Sequence, residues 1–469
     1  MPTLVMKFGG NSVGMTTGLT QLLSIVLFEQ ERWERLLLVV SALEGVTDAL
    51  LEAARLAQLG NRRGYRRIVG TLRTRHLALI EHLPLGSNEQ AALQADIDRL
   101  LFDMLDTCQA LADSETSSPR PEAIDAIIGV GERLAARIVA ALLRQNGLRG
   151  VAIDATDIVI TDNVYGNATP NLPLTRERIN EMLAPMLERK ILPVITGFIG
   201  ATTTGTPTTL GRGGSDYTAS ILAACTDAQE VWIWTDVDGM MTADPRDVED
   251  ARVIPRLSYN ETAELAYFGA RLLHARMIAP LQDRRISLRV RNVFKPQSAG
   301  TTVGEMVESA PQLKAVTRIN GLGLFASHNG ALHAVMNLVD DTLFDVAGIH
   351  AEVVFTSQSA WQSFIGFLIP TSAGPDALHA LDSSIESRIH NGELSSWTHY
   401  PVTILTVIGS QMNESRSTVA DILLALEGLQ LLALSQSPSN ASFSVVLETS
   451  AADEALLRVH SLLSQAPAS

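Results

Sequence analysis

Apolar runs alternate with helical patterns along the first part of the chain. Residues 4–8 and 35–43 have the continuous apolar character of buried strands, and each run precedes a segment with the apolar spacing of an amphipathic helix. Three later runs, 151–161, 193–200 and 229–236, are rich in β-branched and aromatic residues. This alternation predicts an α/β fold whose mainly parallel sheet is covered by helices on both faces.

A helical stretch without strand character interrupts this alternation. Residues 61–113 are rich in Arg, Leu and Ala and predict a helical insertion. A single amphipathic helix is then expected over 122–145, closed by Asn146 and Gly147. The first domain is expected to cover residues 1–297.

The pattern changes after this domain. Strand-like and helical runs follow the order β-α-β-β-α-β, once in residues 298–395 and again in residues 396–469. This order predicts two consecutive ferredoxin-like modules. Because the strand edges of such modules pair with each other, we expect a homodimer or a larger homo-oligomer.

Composition and charge narrow the functional classes. The chain of 469 residues is 46% hydrophobic and carries a formal net charge of −15 at pH 7, so it can bury large cores but attracts nucleic acids and anionic membranes poorly. No apolar stretch has the length of a membrane span, and the first strand begins too close to Met1 for a signal peptide. We therefore expect a soluble, cytoplasmic protein with no nucleic-acid or membrane partner.

The two cysteines, Cys108 and Cys225, give no sign of a metal or redox site. They lie far apart and lack the paired spacing of such sites, so reduced core thiols are expected. No cluster of His and Cys in the sequence indicates a transition metal.

A glycine turn follows the first apolar strand. It places Lys7 beside Gly9 and Gly10, with Ser12 as the expected cap of the first helix. Glycine lets backbone N–H groups approach an anion without a Cβ in the way.

A second turn of the same kind lies near the middle of the chain. It contains Gly211, Gly213 and Gly214, and Ser215 and Asp216 stand where the next helix should begin. Two phosphate-type turns, each after an apolar strand, favour phosphoryl transfer as the chemistry.

Six segments carry a family pattern. They are KFGGNSV from Lys7, SALEGVTDAL from Ser41, GVGERLAARI from Gly129, GFIGATTTGTPTTLGRGGSDYTA from Gly197, TDVDGMMTADPR from Thr235 and FGARLLHARM from Phe268. Together they resemble aspartokinase, of the amino acid kinase superfamily, and TTLGRGGSD and TDVDGMMTADPR are the most specific parts. The resemblance extends nearly from end to end, because the region after about Lys314 resembles the paired regulatory ACT domains of that family.

The resemblance implies an activity. It is the ATP-dependent phosphorylation of the side-chain carboxylate of L-aspartate to 4-phospho-L-aspartate, the first step of aspartate-family amino acid biosynthesis. It also implies feedback control by lysine or threonine through the ACT modules. ATP and Mg²⁺ are the expected cofactors, and Mg²⁺ is expected on the nucleotide phosphates because this small hard cation keeps much of its water.

Two charged residues are expected at the phosphoryl group. Lys7 is expected to stabilise the γ-phosphoryl group in transfer, since the repulsion between two anions must be neutralised; an exposed lysine at a strand end is the alternative. Asp216, with Ser215 beside it, is expected to orient Lys7 or to bind the substrate ammonium group. A helix N-cap is the alternative for Asp216.

Four residues are expected to hold the amino acid. Arg212 suits a bidentate pair with the α-carboxylate of the substrate, with a structural salt bridge as the alternative. The resemblance places Glu132 at the α-ammonium group, whereas a glutamate that only complements the helix dipole is the alternative. It also places hydroxyl contacts at Ser41 and Thr47, both of which could instead cap helices.

The expected nucleotide pocket combines the Gly9 and Gly10 turn with later residues. Thr235 and Asp236 are expected in this pocket, with Asp236 on the adenosine side. Arg246 is expected at the phosphates, although the Asp-Pro turn before it is also ordinary loop chemistry.

Five positions depart from the family pattern. Asn11, Gly129, Met241, Arg271 and Ala275 stand where the family usually has Thr, Ser, Tyr, Lys and Pro. Met241 and Arg271 fall in the expected nucleotide pocket, where Arg271 keeps a positive charge but replaces a compact ammonium with a planar fork. These changes bear on nucleotide and substrate use more than on the fold.

An effector site is expected between Val339 and Ile349, including Asp340 and Asp345. Related proteins bind effector amino acids there through backbone groups at a strand-to-helix turn. The alternative is a helix start that serves only dimer formation.

Two other functions stay open. One is a kinase for a different small carboxylic or amino acid substrate, which the combination of Arg212 and Glu132 disfavours. The other is a catalytically lapsed amino-acid sensor, against which the intact Lys7 and Asp216 argue.

Overall fold

The chain forms two compact units. The computed structural model describes residues 2–113, 120–269, 273–306, 311–326, 332–347, 351–358, 362–368, 375–392 and 397–465. The first unit comprises Met1–Met240, Pro255–Tyr259 and Leu273–Glu305, and the second comprises Met241–Ile254, Asn260–Leu272 and Met306–Ser469.

The first unit contains the strands β1 (Thr3–Phe8), β2 (Arg35–Val40), β3 (Gly150–Ile153), β4 (Ile160–Thr161), β5 (Leu192–Thr196), β6 (Ile199–Thr202), β7 (Pro207–Thr209), β8 (Glu230–Thr235), β9 (Arg256–Ser258), β10 (Ser287–Asn292) and β11 (Thr301–Gly304). Its helices are α1 (Gly10–Val13), α2 (Thr16–Glu29), α3 (Val46–Gln58), α4 (Arg62–Glu81), α5 (Ser87–Ala112), α6 (Pro121–Ile128), α7 (Val130–Gln145), α8 (Leu172–Glu188), α9 (Gly214–Thr226) and α11 (Ile278–Arg284).

Eight strands form the main sheet of this unit, in the order β3-β5-β2-β1-β8-β10-β11-β9. All pairs from β3 to β10 are parallel, and β10 pairs with β11 antiparallel. Strands β1, β2 and β8 are buried along most of their length, which explains why their sequences are continuous apolar runs. The predicted α/β fold with a mainly parallel sheet is confirmed.

Aromatic packing fixes the carboxyl ends of two central strands. Leu4, Met6 and Phe8 of β1 lie in one apolar cluster with Leu19 of α2. The rings of Phe8 and Trp234 of β8 stack with centroids 6.1 Å apart. The candidate site residues follow directly after these rings.

Two helix predictions need correction. The segment 61–113 is helical, as α4 and α5, but the single helix predicted over 122–145 is interrupted at Gly129 between α6 and α7. A Cβ at Gly129 would lie 2.8 Å from Ile199 Cγ2, so the break brings the backbone close to β6. The predicted cap at Ser12 is also wrong, because Gly9 is the N-cap of α1 and Ser12 is a buried residue within it.

The second unit contains the strands β12 (Gln312–Ala326), β13 (Glu352–Gln358), β14 (Ser363–Leu368), β15 (Trp397–Ser410), β16 (Leu431–Gln436) and β17 (Ser442–Glu448). Its helices are α10 (Tyr259–Tyr267, whose first residue belongs to the first unit), α12 (Leu332–Ala347), α13 (Pro375–His390), α14 (Arg416–Ala425) and α15 (Ala452–Gln465).

One antiparallel sheet runs through both predicted modules, in the order β13-β14-β12-β15-β17-β16. The long strands β12 and β15 pair from Gln312 with Ser410 to Ala326 with Trp397. The last part of β12 pairs with β14 as well, whereas the latter half of β15 pairs with β17. The sheet therefore holds two ferredoxin-like strand sets that share β12 and β15.

This sharing corrects the predicted order of the modules. The second strand set takes its fourth strand from residues 312–320, which precede the first module in the chain. The first module is thus inserted into the second rather than placed before it. The main sheet of the first unit also continues past residue 297 through β11. As domain limits, residues 297 and 395 stay predictions.

Two segments near residues 250 and 265 belong to the second unit and are bonded within it. Arg318 of β12 donates from Nε and Nη2 to the carboxylate of Asp247, at 3.1 and 2.8 Å. Lys314 Nζ lies 2.9 Å from Glu261 Oε2 of α10, and both side chains are buried. These charged contacts tie the two segments to β12.

Within the described ranges, no helix combines the length with the apolar composition that crossing a membrane requires.

The buried Lys314–Glu261 pair predicts a large stability effect. Glu261→Gln removes the charge of a carboxylate that is paired with the buried Lys314 ammonium, and we expect it to lower the free energy of unfolding by about 3–5 kcal/mol. Glu454→Gln is the control, because Glu454 pairs with Arg458 but is 56% exposed, and it should cost less than about 1 kcal/mol. Urea denaturation measures both, and equal losses would contradict the prediction.

Candidate active site

The candidate site lies at the carboxyl ends of β1, β2 and β8, which are neighbours in the parallel part of the sheet. Gly9 N donates to Trp234 O at 3.2 Å and so joins the first glycine turn to β8. A Cβ at Gly10 would lie 2.7 Å from Ala42 O. A glycine at this position therefore allows the turn to approach the segment that follows β2.

An ion pair that is largely shielded from water joins β1 to the first turn of α9. Lys7 Nζ lies 2.5 Å from Asp216 Oδ1, and the side chains are 12% and 9% exposed. Asp216 is the third residue of α9 and Ser215 the second, while Gly213 is the N-cap. The N-cap alternative for Asp216 is therefore wrong, as is the exposed-lysine alternative for Lys7. The pair fixes an ammonium group at this edge of the sheet.

Glu132 lies near this pair, in the first turn of α7. Its Oε1 accepts a hydrogen bond from Ala42 N at 3.1 Å. Its Oε2 is buried and has no hydrogen-bond partner within the described part of the chain. Burial raises the pKa of Glu132 to about 7, against the lowering effects of the Ala42 N–H and the Lys7 charge. An exposed glutamate that only complements the dipole of α7 does not fit this environment. A carboxylate that binds a cationic hydrogen-bond donor does fit it.

Ser41 and Thr47 lie in the segment that links β2 to α3. Ser41 N donates to Phe8 O at 3.2 Å. Gly45 is the N-cap of α3 and no side chain caps this helix, so neither hydroxyl plays the capping role. Both residues are half-buried, and their contacts with substrate stay predictions.

Arg212 lies between β7 and α9, in residues 210–214, which we call the glycine turn. Its side chain is exposed. Ser215 and Asp216 follow directly. The glycine turn and the first residues of α9 therefore place a guanidinium, a hydroxyl and a carboxylate within five consecutive residues, 212–216.

Hydrogen bonds also link the ends of β1 and β8. Asn11 Nδ2 donates to Asp236 Oδ2 at 2.8 Å, and Thr235 Oγ1 donates to Asp236 Oδ1 at 3.2 Å. In the sequence, Asn11 stands out only as a departure from the family pattern. The structure gives it a partner, and a threonine could not present the same amide donor.

Three residues at this end of the sheet were missed in the sequence. Asn292 Nδ2 donates to Asp236 O at 3.2 Å and to Asp238 Oδ1 at 2.6 Å. Lys295 Nζ lies 2.7 Å from Asp238 Oδ2, and these partners hold the pKa of Asp238 below its ordinary value. The parallel pairing of β8 with β10 brings them together, and no local pattern in the sequence indicates that pairing.

Comparison with known proteins agrees with this geometry. Residues 2–292 match the model of the Amino acid kinase family. The chain belongs to this family.

Individual relatives extend the similarity beyond the family domain. The chain is 28% identical over 467 residues to the bifunctional aspartokinase/homoserine dehydrogenase 2 of Arabidopsis thaliana, covering 97% of this chain and 50% of that protein. It spans about half the length of several curated relatives that it matches.

Solved structures match both units. Aspartokinase III of E. coli in complex with aspartate and ADP (R-state) is 26% identical, with a TM-score of 0.79 and coverage of 99% of this chain and 100% of that chain. The same protein in complex with lysine and aspartate (T-state) gives a TM-score of 0.79 at 26% identity, covering 98% and 99%. The resemblance to aspartokinase is confirmed by these matches.

Three further nucleotide residues were expected in this amino acid kinase family member: Met241, Arg246 and Arg271. Met241 and Arg246 belong to the second compact unit. Arg246 donates from N and Nε to Asp244 Oδ1, at 3.0 Å each, so this turn has its own local bonding. Arg271 lies outside the described residues. Their contacts with a nucleotide stay predictions.

The effector prediction is partly corrected. Val339, Asp340 and Asp345 lie within helix α12, so these positions are not at a strand-to-helix turn. α12 begins at Leu332, before these positions, and ends at Ala347. Asp340 Oδ1 accepts a hydrogen bond from Ala351 N at 2.7 Å. Ile349 lies outside the described residues, and the effector role itself stays a prediction.

The raised pKa of Glu132 predicts a pH dependence of stability. An acid whose folded pKa exceeds its unfolded value loses stability as pH rises between the two values, here from about 4.5 to about 7. Glu132→Gln cannot ionise, so its free energy of unfolding relative to wild type should rise by about 2 kcal/mol between pH 5 and pH 8.

Denaturation at the two pH values measures this difference. Glu52→Gln, at an exposed position of α3, serves as the matched control. A relative stability of Glu132→Gln that does not change with pH would count against a buried, protonatable Glu132.

Proposed function

We propose that this chain phosphorylates the side-chain carboxylate of L-aspartate with ATP and forms 4-phospho-L-aspartate, the first step of aspartate-family amino acid biosynthesis. The observation that carries the proposal is the largely shielded Lys7–Asp216 pair near Glu132, whose buried Oε2 has no hydrogen-bond partner in the described part of the chain. The E. coli relative was crystallised with aspartate and ADP, which supports the same pair of ligands here.

The reaction brings two anions together. A carboxylate oxygen of aspartate attacks the γ-phosphorus of ATP, and the bond from that phosphorus to the bridging oxygen of ADP breaks. The Lys7 ammonium can neutralise charge on the transferring group, since Asp216 holds it at a fixed position. The acceptor carboxylate, with an ordinary pKa of about 4, is already ionised at pH 7, so Asp216 is not needed as a base.

The amino acid end of the substrate carries two charges of its own. Glu132 Oε2 can accept from the α-ammonium group, which would satisfy a buried oxygen and favour the ionised carboxylate. Arg212, in the glycine turn, can form a bidentate pair with the α-carboxylate. Ser41, Thr47 and Ser215 can add hydroxyl contacts. These roles suit an α-amino dicarboxylic acid.

The nucleotide is proposed to be ATP with Mg²⁺. The amides of the Gly9 and Gly10 turn and the Thr235–Asp236 pair lie at the edge where it would bind, and Met241, Arg246 and Arg271 are proposed as further contacts. In the described ranges, no group of three or more His, Cys, Asp or Glu side chains could hold a metal ion. When bound, Mg²⁺ would rest mainly on the phosphates and water and neutralise their charge, because this small hard cation keeps much of its water.

Regulation and location complete the proposal. The second unit has the ferredoxin-like strand sets expected of ACT modules, and the E. coli relative was crystallised with lysine. We therefore propose feedback inhibition by lysine or threonine, a homodimeric or larger assembly, and a cytoplasmic location. Residues 339–349 remain the proposed effector segment.

Trapping of the acyl phosphate with hydroxylamine tests the reaction. The wild type should give an ATP-dependent hydroxamate from L-aspartate and not from a panel of other carboxylic acids. Lys7→Ala should lower kcat by a factor of about 10²–10³, because it removes the cation at the phosphoryl group. Lys190→Ala, at an exposed turn after α8, should keep full activity.

The other outcomes separate the alternatives. Hydroxamate from a different acid alone would replace aspartate as the substrate. A folded protein that binds ATP and gives no hydroxamate from any acid would support the amino-acid sensor.

Substitution of Arg212 tests how the substrate is held. Arg212→Ala should raise the KM for aspartate by a factor of about 10², as expected for loss of a charge-assisted bidentate contact, with little change in the KM for ATP. Arg212→Lys keeps the positive charge but loses the planar fork of the guanidinium. Its KM for aspartate should lie between those of the wild type and Arg212→Ala. Steady-state kinetics with each substrate varied gives both values, and parallel changes in the two KM values would refute the assignment.

A further inference from the structure

A second buried carboxylate lies outside the groups that are proposed to touch the substrate. Asp125 of α6 is 3% exposed. Its Oδ2 accepts from Gly166 N at 2.9 Å and from Thr209 N at 2.8 Å, and its Oδ1 accepts from Thr209 Oγ1 at 3.0 Å. A buried carboxylate is costly unless it is hydrogen-bonded, so these donors are what allows Asp125 to be buried.

The donors belong to the strand that enters the glycine turn and to a neighbouring loop. Thr209 ends β7, immediately before the turn, and its carbonyl oxygen accepts from Ala168 N at 2.9 Å. Gly211, at φ +76°, leaves no room for a side chain, since a Cβ there would lie 2.7 Å from Asn167 Oδ1. The loop around residue 167 therefore supports the turn that carries Arg212 from one side.

Arg276 contacts the same turn and loop. Whereas the Asp125 carboxylate accepts hydrogen bonds from them, the Arg276 guanidinium donates hydrogen bonds to them. Its Nη1 donates to Leu210 O at 3.0 Å and also to Asn167 Oδ1, and its Nη2 donates to Ala168 O at 3.2 Å. Its guanidinium carbon lies 5.0 Å from the ring centroid of Tyr217, on α9. Arg276 thus contacts the beginning of the turn, the supporting loop and the helix after the turn.

Asp125 also has a fixed relation to Glu132. The two residues are seven positions apart on α6 and α7, with only Gly129 between the helices. One helix pair therefore presents Glu132 to the proposed ammonium site and anchors the turn that carries Arg212. The separation of the two proposed substrate-binding charges depends on this anchor.

We infer that Asp125 and Arg276 are positioning residues that set the placement of Arg212 relative to Glu132 and thereby the affinity for the amino acid substrate. The effect on substrate affinity rests on the proposed function. The anchoring of the glycine turn rests only on the contacts described above, so the two parts can be tested separately.

Two substitutions of Asp125 separate positioning from bulk stability. Asp125→Ala removes all three acceptors and should raise the KM for aspartate by about 10–100-fold, because a displacement of about 1 Å in a binding group has effects of this size, with less than about a threefold change in the KM for ATP. Asp125→Asn can keep every bond, since its oxygen can accept from Gly166 N and Thr209 N while its NH₂ group donates to Thr209 Oγ1. It should stay within about threefold of wild type.

A matched control removes an acidic residue of an ion pair at the amino-terminal end of a central strand, away from the candidate site. Glu230 begins β8 and lies 2.9 Å from Arg289 Nε. Glu230→Ala should lower thermal stability without changing the ratio of the two KM values. Arg276→Lys loses the fork that reaches three acceptors, and should reproduce the rise in the KM for aspartate.

Hydrogen exchange tests the anchor without any substrate. In Asp125→Ala, peptides covering residues 162–171 and 207–217 should exchange faster, because the Gly166 and Thr209 amides lose their acceptor. Asp125→Asn and Glu230→Ala should leave these peptides as in wild type.

The outcomes distinguish the two proposals. A wild type that makes no hydroxamate from aspartate would reject the proposed function, and exchange confined to the two peptides would still support the anchor. Unchanged exchange in Asp125→Ala, an Asp125→Asn variant as impaired as Asp125→Ala, or equal rises in both KM values would each overturn the positioning role.

Discussion

The site depends on holding one ammonium group, largely shielded from water, next to a carboxylate. Lys7 is mostly shielded from water, and the nearby Asp216 carboxylate makes its burial tolerable. That pair requires the ends of β1 and α9 to meet, which in turn requires glycines at two turns where the backbone passes too closely for a Cβ. Glu132, near the pair, has a buried Oε2 without a hydrogen-bond partner among the residues that the structure describes. This buried oxygen is the acceptor to which the proposed function assigns the substrate ammonium group.

Much of this could be predicted from the sequence, because the central strands and glycine turns leave local signatures. The apolar runs at β1, β2 and β8 and the glycines of the two turns belong to this part. Strands buried on both faces have continuous apolar sequences, and a turn that must approach an anion needs glycine. Both requirements act on residues that are close in the chain.

The features that sequence reasoning missed join distant residues. The contact between Asn11 and Asp236 spans 225 positions, and that between Asp125 and Thr209 spans 84. Each residue alone has an ordinary local interpretation, as Asp125 has within an amphipathic helix. The break at Gly129 was missed for a related reason, because apolar periodicity continues through it and only the approach of Ile199 requires the interruption.

The shared strands of the second unit have a consequence for how this unit is made. Residues 312–320 leave the ribosome before the first module, yet their partners in β15 are about 90 residues further along, as the register of the two strands gives. The intervening module closes this long loop, because its own strands also lie in β12 and β15 and set their register. Closing such a loop costs entropy, and contacts that are close in sequence form first. The first module thus acts as the template on which the second one closes, and an error in its register would be passed along the same two strands to its neighbour.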